Sequence, residues 1–161
     1  RVLGEFERAY GHLGEQDEGG RLEVTVPAGE LTIAADRQLL KQALVNLVEN
    51  AVLSARELRK GDVHVAVGVV AEPDAVVLHV DDNGPGIAPE RRERVFEPYE
   101  TSRKSGTGLG LAIVKKIVLD HGGEIWIEGS PLGGARFCLR LRRVDAAAWR
   151  PAASADKPPL P

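Results

Sequence analysis

Methionine is missing altogether from this 161-residue chain, and cysteine occurs once, as Cys138. A single thiol excludes an intramolecular disulfide framework and a multi-cysteine zinc site. There is no basic excess: 21 basic against 24 acidic side chains leave a net charge of −3, which argues against a general nucleic-acid binder. No apolar run approaches the ~20 residues of a membrane span, and no signal peptide is visible. A natural reading frame starts with methionine, whereas this chain starts with Arg1. The expectation is a piece of a longer protein.

The length suits one domain with a real hydrophobic core and hardly two. Three zones are expected: a connector over 1–20 ending at Gly19-Gly20, a folded body over 21–143, and an Ala/Pro-rich tail over 144–161 in which Trp149 is the one residue able to dock. Within the body, Arg21 to Val26 alternates like a strand and Leu31 to Ala34 reads as a second short one. Asp36 is placed to cap a helix running from Arg37 to about Arg59, with an apolar stripe of Leu40, Leu44, Leu47, Ala51, Ala55 and Leu58. Strands follow at Val63–Val70 and Val76–Asp82, then a short helix near Glu90–Val95. A second helix covers Leu109–His121, stopped by Gly122-Gly123, and a hairpin sets Ile125 and Ile127 against Phe137, Leu139 and Leu141. Strands paired as meanders and covered by helices give a two-layer α/β sandwich.

Three features carry chemistry. At about 100° per residue, Gln42, Asn46, Glu49, Asn50 and Leu53 share a face of the long helix away from its Leu40/Leu44/Leu47 stripe. Asparagine is a poor helix-interior residue, and two of them four apart aim their amides into one space. Carboxamide oxygen suits Mg²⁺ when phosphates share its coordination, although the pair alone also fits a solvated polar face. Second, the inward parity of Val76, Leu78 and Val80 continues to Asp82, at the head of Asp82-Asn83-Gly84-Pro85-Gly86-Ile87. A buried carboxylate needs donors, and the exocyclic amine of a base is one such donor; a tight turn capped by Asp82 is the plainer alternative. Third, Gly106-Thr107-Gly108-Leu109-Gly110-Leu111 opens the second helix, where bare N–H groups and the helix dipole favour phosphate. Ile113 excludes a dinucleotide fingerprint, and the absence of any Gly-Lys pair excludes a Walker loop. Between the second and third features lie roughly 20 charge-rich residues of lid length. There Phe96 and Tyr99 are candidates to dock, and Arg103 and Lys104 to meet a terminal phosphate.

In this order and spacing, Asn46-Leu47-Val48-Glu49-Asn50-Ala51, Asp82 to Ile87, Phe96-Glu97-Pro98-Tyr99 and Gly106 to Leu111 resemble the N, G1, F and G2 boxes of the histidine kinase ATPase family. The lid wording and second helix look most similar to nitrogen-regulation-type sensor kinases. The resemblance implies the Bergerat fold, a mixed sheet backed by helices with a mobile ATP lid, and ATP and Mg²⁺ as cofactors. It implies that Asn50 coordinates Mg²⁺ with Asn46 beside the phosphates, and that Asp82 accepts the adenine amine next to Gly84, Gly86 and Ile87. Tyr99, Thr107, Leu109 and Leu111 would flank the nucleotide, Gly106, Gly108 and Gly110 would wrap its phosphates, and Arg103 or Lys104 would neutralise the γ-phosphate. Asn46, Asn50, Arg103 and Lys104 are then the catalytic set.

Many members carry lysine three residues after the metal asparagine, where this chain has Leu53. None of His12, His64, His79 and His121 sits in a phosphoacceptor-like setting. The acceptor histidine is therefore expected on a separate dimerisation domain of a parent kinase, which would pass the signal to a response regulator. The fragment itself is expected to be monomeric, cytoplasmic and without nucleic-acid partners, its parent either soluble or anchored in the inner membrane. Two alternatives stay open: a module that senses nucleotide without phosphotransfer, and another ATPase of the same fold. Water-activating relatives of that second kind place glutamate where Asn46 stands.

Overall fold

A computed structural model describes residues 8, 20–25, 31–58, 62–100 and 108–144. The connector (Arg8 and Gly20 apart), Arg103, Lys104, Gly106, Thr107, Trp149 and the tail beyond Val144 lie outside the described residues. Five strands form one mixed sheet: β1 (Arg21–Thr25), β2 (His64–Ala71), β3 (Ala75–Asp82), β4 (Glu124–Gly129) and β5 (Ala135–Arg142), in spatial order β1-β2-β3-β5-β4. The β1–β2 pair is parallel and the rest antiparallel. A parallel pair needs a crossover, and α1 (Arg37–Leu58) supplies it. The second helix, α2 (Gly110–Asp120), precedes β4.

Asp36 starts α1 as its side chain suggests: Oδ1 accepts from the N–H groups of Gln38 (2.8 Å) and Leu39 (2.9 Å). Leu40, Leu44, Leu47, Ala51 and Ala55 are buried, joined by Val48 and Val52, but Leu58 is 56% exposed in the last turn. These residues pack with Val65, Val67, Leu78, Val80, Phe137 and Leu139, and with Val114 and Val118 of α2, in one cluster. Strand parity thus defines an inner face beneath the helices and an outer face bearing His64, His79, Arg136, Cys138 and Arg140.

Three expectations need correction. Leu31–Ala34 is not a strand but one bridge, Ile33 to Arg143, continued by Val144 N–H to Thr32 O at 2.9 Å. The pairing is not a meander, because β5 inserts between β3 and β4. The helix expected near Glu90–Val95 is two 3₁₀ turns, Pro89–Arg91 and Arg94–Phe96. Glu97 precedes Pro98 and is extended (φ −69°, ψ 141°), which ends the second turn at Phe96. His121 links the two helices. The N–H of Asp36 donates to its Nε2 at 2.9 Å, so Nδ1 carries the proton and donates to Ile117 O at 2.6 Å, and the ring ties the end of α2 to the start of α1.

Candidate functional site

A cleft of about 700 Å³ opens between the polar face of α1, the C-terminal end of β3 and the start of α2. Asn46, Glu49, Asn50, Leu53 and Ser54 line it from α1, and Gly108, Gly110 and Leu111 from the α2 side. Asp82, Gly86 and Ile87 form a third wall over a floor of Ala135 and Phe137. Gly110 sits across from Asn46: an added Cβ would stand 3.8 Å from Asn46 Oδ1. Gln42, on the same helix, is exposed and outside the cleft.

Asp82 is 1% exposed and its Oδ1 is held from behind. The N–H groups of Gly84 (2.8 Å) and Ala135 (3.3 Å) and the Ser54 hydroxyl (3.5 Å) all donate to it. The turn-capping role and the cleft-facing position therefore coexist. Gly84 lies behind the wall, so close to α1 that a Cβ would run into Ser54. Gly86 takes φ 75°, a conformation that suits glycine. Asn83 turns away: its Nδ2 donates to Asp62 O (2.7 Å) and its Oδ1 accepts from His64 N–H (2.9 Å), fastening β3 to the entry of β2.

Among the described residues, the two sides of the lid segment meet at a backbone bond, Tyr99 N–H to Gly108 O at 2.8 Å. Gly108 has φ 68°, and a Cβ there would come within 2.6 Å of Tyr99 Cα. Phe96 docks as its type suggests, 6% exposed and edge-on to Phe137 (centroids 6.2 Å apart, 89°), with Lys115 Nζ 5.7 Å from its ring centre. The Tyr99 side chain is 76% exposed and outside the cleft wall. Leu109, the N-cap of α2, faces a separate apolar groove with Ile113 and Leu119.

Sequence reasoning overlooked the charge of the walls. Glu49, Glu57, Asp82 and Glu100 line the cleft against one described cation, Arg91, and Glu100 is already 3.7 Å from Arg94. Such a wall repels a bare polyphosphate, so an anionic ligand must bring or meet positive charge. Among the described residues no group of three His, Cys, Asp or Glu is arranged to hold a metal ion. A cation in the cleft would rest on amide oxygen, notably Asn50, and on oxygens of the ligand itself. The donor set fits Mg²⁺ in that sense.

Residues 35–145 match the family described as histidine kinase-, DNA gyrase B-, and HSP90-like ATPase. The chain belongs to this family. It is 37% identical over 129 residues to sensor histidine kinase CpxA of Escherichia coli K12, covering 76% of this chain and 27% of that protein. To nitrogen regulation protein NtrY of Azorhizobium caulinodans it is 42% identical over 113 residues, 66% of this chain and 14% of NtrY. The chain therefore spans about a quarter or less of these relatives. Among solved structures, the mycobacterial sensor histidine kinase MprB superposes with TM-score 0.71 at 31% identity, covering 88% of this chain and 92% of that one. ShkA in complex with AMPPNP gives TM-score 0.75 at 29% identity, covering 90% and 30%. The fold is that of the catalytic ATP-binding domain of bacterial sensor histidine kinases, and no helix among the described residues is long and apolar enough to cross a membrane.

Proposed function

We propose that this domain binds Mg-ATP in the cleft and supplies its γ-phosphoryl group to a histidine on a separate dimerisation domain. The observation that carries this reading is the convergence of Asn46 and Asn50, Asp82, and Gly108 and Gly110 on one 700 Å³ space. These groups come from three separate stretches of sequence and match three requirements of the ligand. Asp82 offers a carboxylate to the adenine amine and would face a carbonyl in guanine. Backbone donors at the start of α2 favour the phosphates. Asn50 holds Mg²⁺, which when bound neutralises charge on the phosphate oxygens.

The chain's part in the transfer is to bind and align. An imidazole nitrogen of the acceptor attacks the γ-phosphorus, the bond to the β–γ bridging oxygen breaks, and ADP leaves with that oxygen. Arg103 and Lys104, with Arg91 of the cleft wall, are the cations to meet that charge. None of His64, His79 and His121 lines the cleft, which favours an acceptor on another domain. The ThkA kinase has been solved in complex with its response regulator TrrA, and a regulator downstream of the parent protein is the corresponding partner here. Asn46, an amide where a water-activating glutamate would stand, argues against a primary hydrolase.

Calorimetry tests the binding step. Asp82→Asn should weaken ATP binding about 10- to 100-fold, by loss of a charged hydrogen bond. Asn50→Ala should remove most of the Mg²⁺ dependence. Unchanged ATP affinity in Asp82→Asn would discard the base assignment. Mixing the chain with the helical hairpin of its parent, Mg²⁺ and ATP should yield acid-labile phosphohistidine on the hairpin; none in the mixture, with ATP bound, would leave a nucleotide-sensing module.

A further inference from the structure

Consecutive strand residues point to opposite faces of a sheet, so Asp82 faces the cleft and Asp81 the outer side. Yet Asp81 is 2% exposed. A carboxylate at that depth needs a full set of donors, and it has one. Arg136, its partner across the β3–β5 ladder, binds it with a two-pronged contact, Nε to Oδ1 at 2.8 Å and Nη2 to Oδ2 at 2.9 Å. The Ser130 hydroxyl donates to Oδ1 at 2.8 Å. That hydroxyl also accepts from Leu132 N–H at 3.0 Å, while Ser130 N–H bonds Gly134 O at 2.9 Å and Gly133 N–H bonds Ser130 O at 3.0 Å. Asp81 thus holds the whole β4–β5 turn through one serine.

The same turn touches Asp82 from behind. Gly134 N–H donates to Asp82 O at 3.1 Å, and Ala135 N–H to Asp82 Oδ1 at 3.3 Å. Gly134 lies so near that any Cβ would run into the Asp82 carboxylate and come within 2.7 Å of Gly84 N. The rear wall of the cleft-facing carboxylate is therefore a turn fastened from the other side of the sheet.

We propose that Asp81, Arg136 and Ser130 are positioning residues that fix the aim of Asp82, and so set how strongly the cleft prefers adenine to guanine nucleotides. The inference rests on the reading of Asp82 as the acceptor of the base amine. A buried ion pair contributes little net stability, but a planar fork fixes geometry, and selection between an amine and a carbonyl needs a carboxylate held within about 0.5 Å. The hydrogen bond to Asp81 raises the Arg136 pKa further above its already high value, with burial opposing.

The test compares ATP and GTP affinities, with Mg²⁺, for the full chain and for Ser130→Ala, Arg136→Lys and the charge-neutral double variant Asp81→Asn/Arg136→Gln, each checked for a folded melting transition. The double variant should lose about tenfold in ATP affinity, as for one lost charged hydrogen bond, with GTP affinity unchanged. Ser130→Ala should shift the ratio the same way by less, and Arg136→Lys should fall between wild type and the double variant. Equal losses for both nucleotides in folded variants would show a general structural role and overturn the proposal. So would an unchanged ratio in these variants while Asp82→Asn collapses it. A ratio unchanged in Asp82→Asn itself would instead remove the base-acceptor reading, and the clasp's role with it. Should the double variant fail to fold, Ser130→Ala, which leaves both charges paired, decides.

Discussion

His79 lies on the outer face of β3, its ring over Gly68, where an added Cβ would collide with it. Burial and then the nearby Arg136 guanidinium push its pKa below the usual 6.5, against the opposing pull of Asp81, 3.7 Å away, and of Glu128. The folded ring therefore resists a proton that the unfolded chain accepts. Stability from this residue is fully present above pH 6.5 and is lost as the pH falls through the folded value. Melting midpoints should drop more between pH 7.5 and 5.5 in the wild-type chain than in His79→Gln; equal drops would discard the assignment. The outward parity of His79 and Asp81 was legible in the alternation of β3. That Arg136 stands opposite Asp81 was not, because a pair 55 residues apart depends on strand register, which no local pattern encodes.

At the scale of elements, the lid is tied to the core through Phe96, whose ring meets Phe137 of β5 edge-on. Phe137 is fully buried and also floors the cleft. Phe137→Ala should cost about 3–5 kcal/mol of stability, and denaturant titration would measure it; a loss below ~1 kcal/mol would mean that the core closes over the gap. Much of this level was readable. The 3.6 and 2.0 periods located α1, α2 and all five strands, Asp36 marked a helix start, and glycines marked the entry to α2. The misses have physical causes. Leu31–Ala34 has strand-like residues but bonds the rest of the fold through a single bridge. Pro98 stops the second of the two short lid turns at Phe96. Leu58 follows the apolar period into a final turn that lies exposed. Asn46, Asn50 and Asp82, which line the cleft, stood out as candidates because each breaks a local rule: amides inside a helix, and a carboxylate on an inward strand position. The rest of the acidic wall, Glu49 and Glu57 of α1 and Glu100 beyond the 3₁₀ turns, broke none.

For the whole molecule, Cys138 gives a direct readout of integrity. It is 3% exposed in the second strand from one edge of the sheet, and burial pushes its thiol up to about 12. A thiol so rarely ionised is a poor nucleophile. Labelling by a maleimide at pH 7.5 should be slow in the native chain and immediate in denaturant, with ligand slowing it further as binding raises stability. Fast native labelling would show that β5 opens without global unfolding. Because this is the sole cysteine, the signal has one origin.

The backbone bond from Tyr99 to Gly108 bears on how much chain can join these two residues. A bond between residues nine apart in sequence pins the two ends of whatever tether joins them, so the described cleft walls do not depend on its length. Each doubling of such a tether adds only about 0.6 kcal/mol of closure entropy. Insertions between the two positions should therefore leave the melting point nearly unchanged in a length series. Length there is uncoupled from the carboxylate, the amides and the helix start.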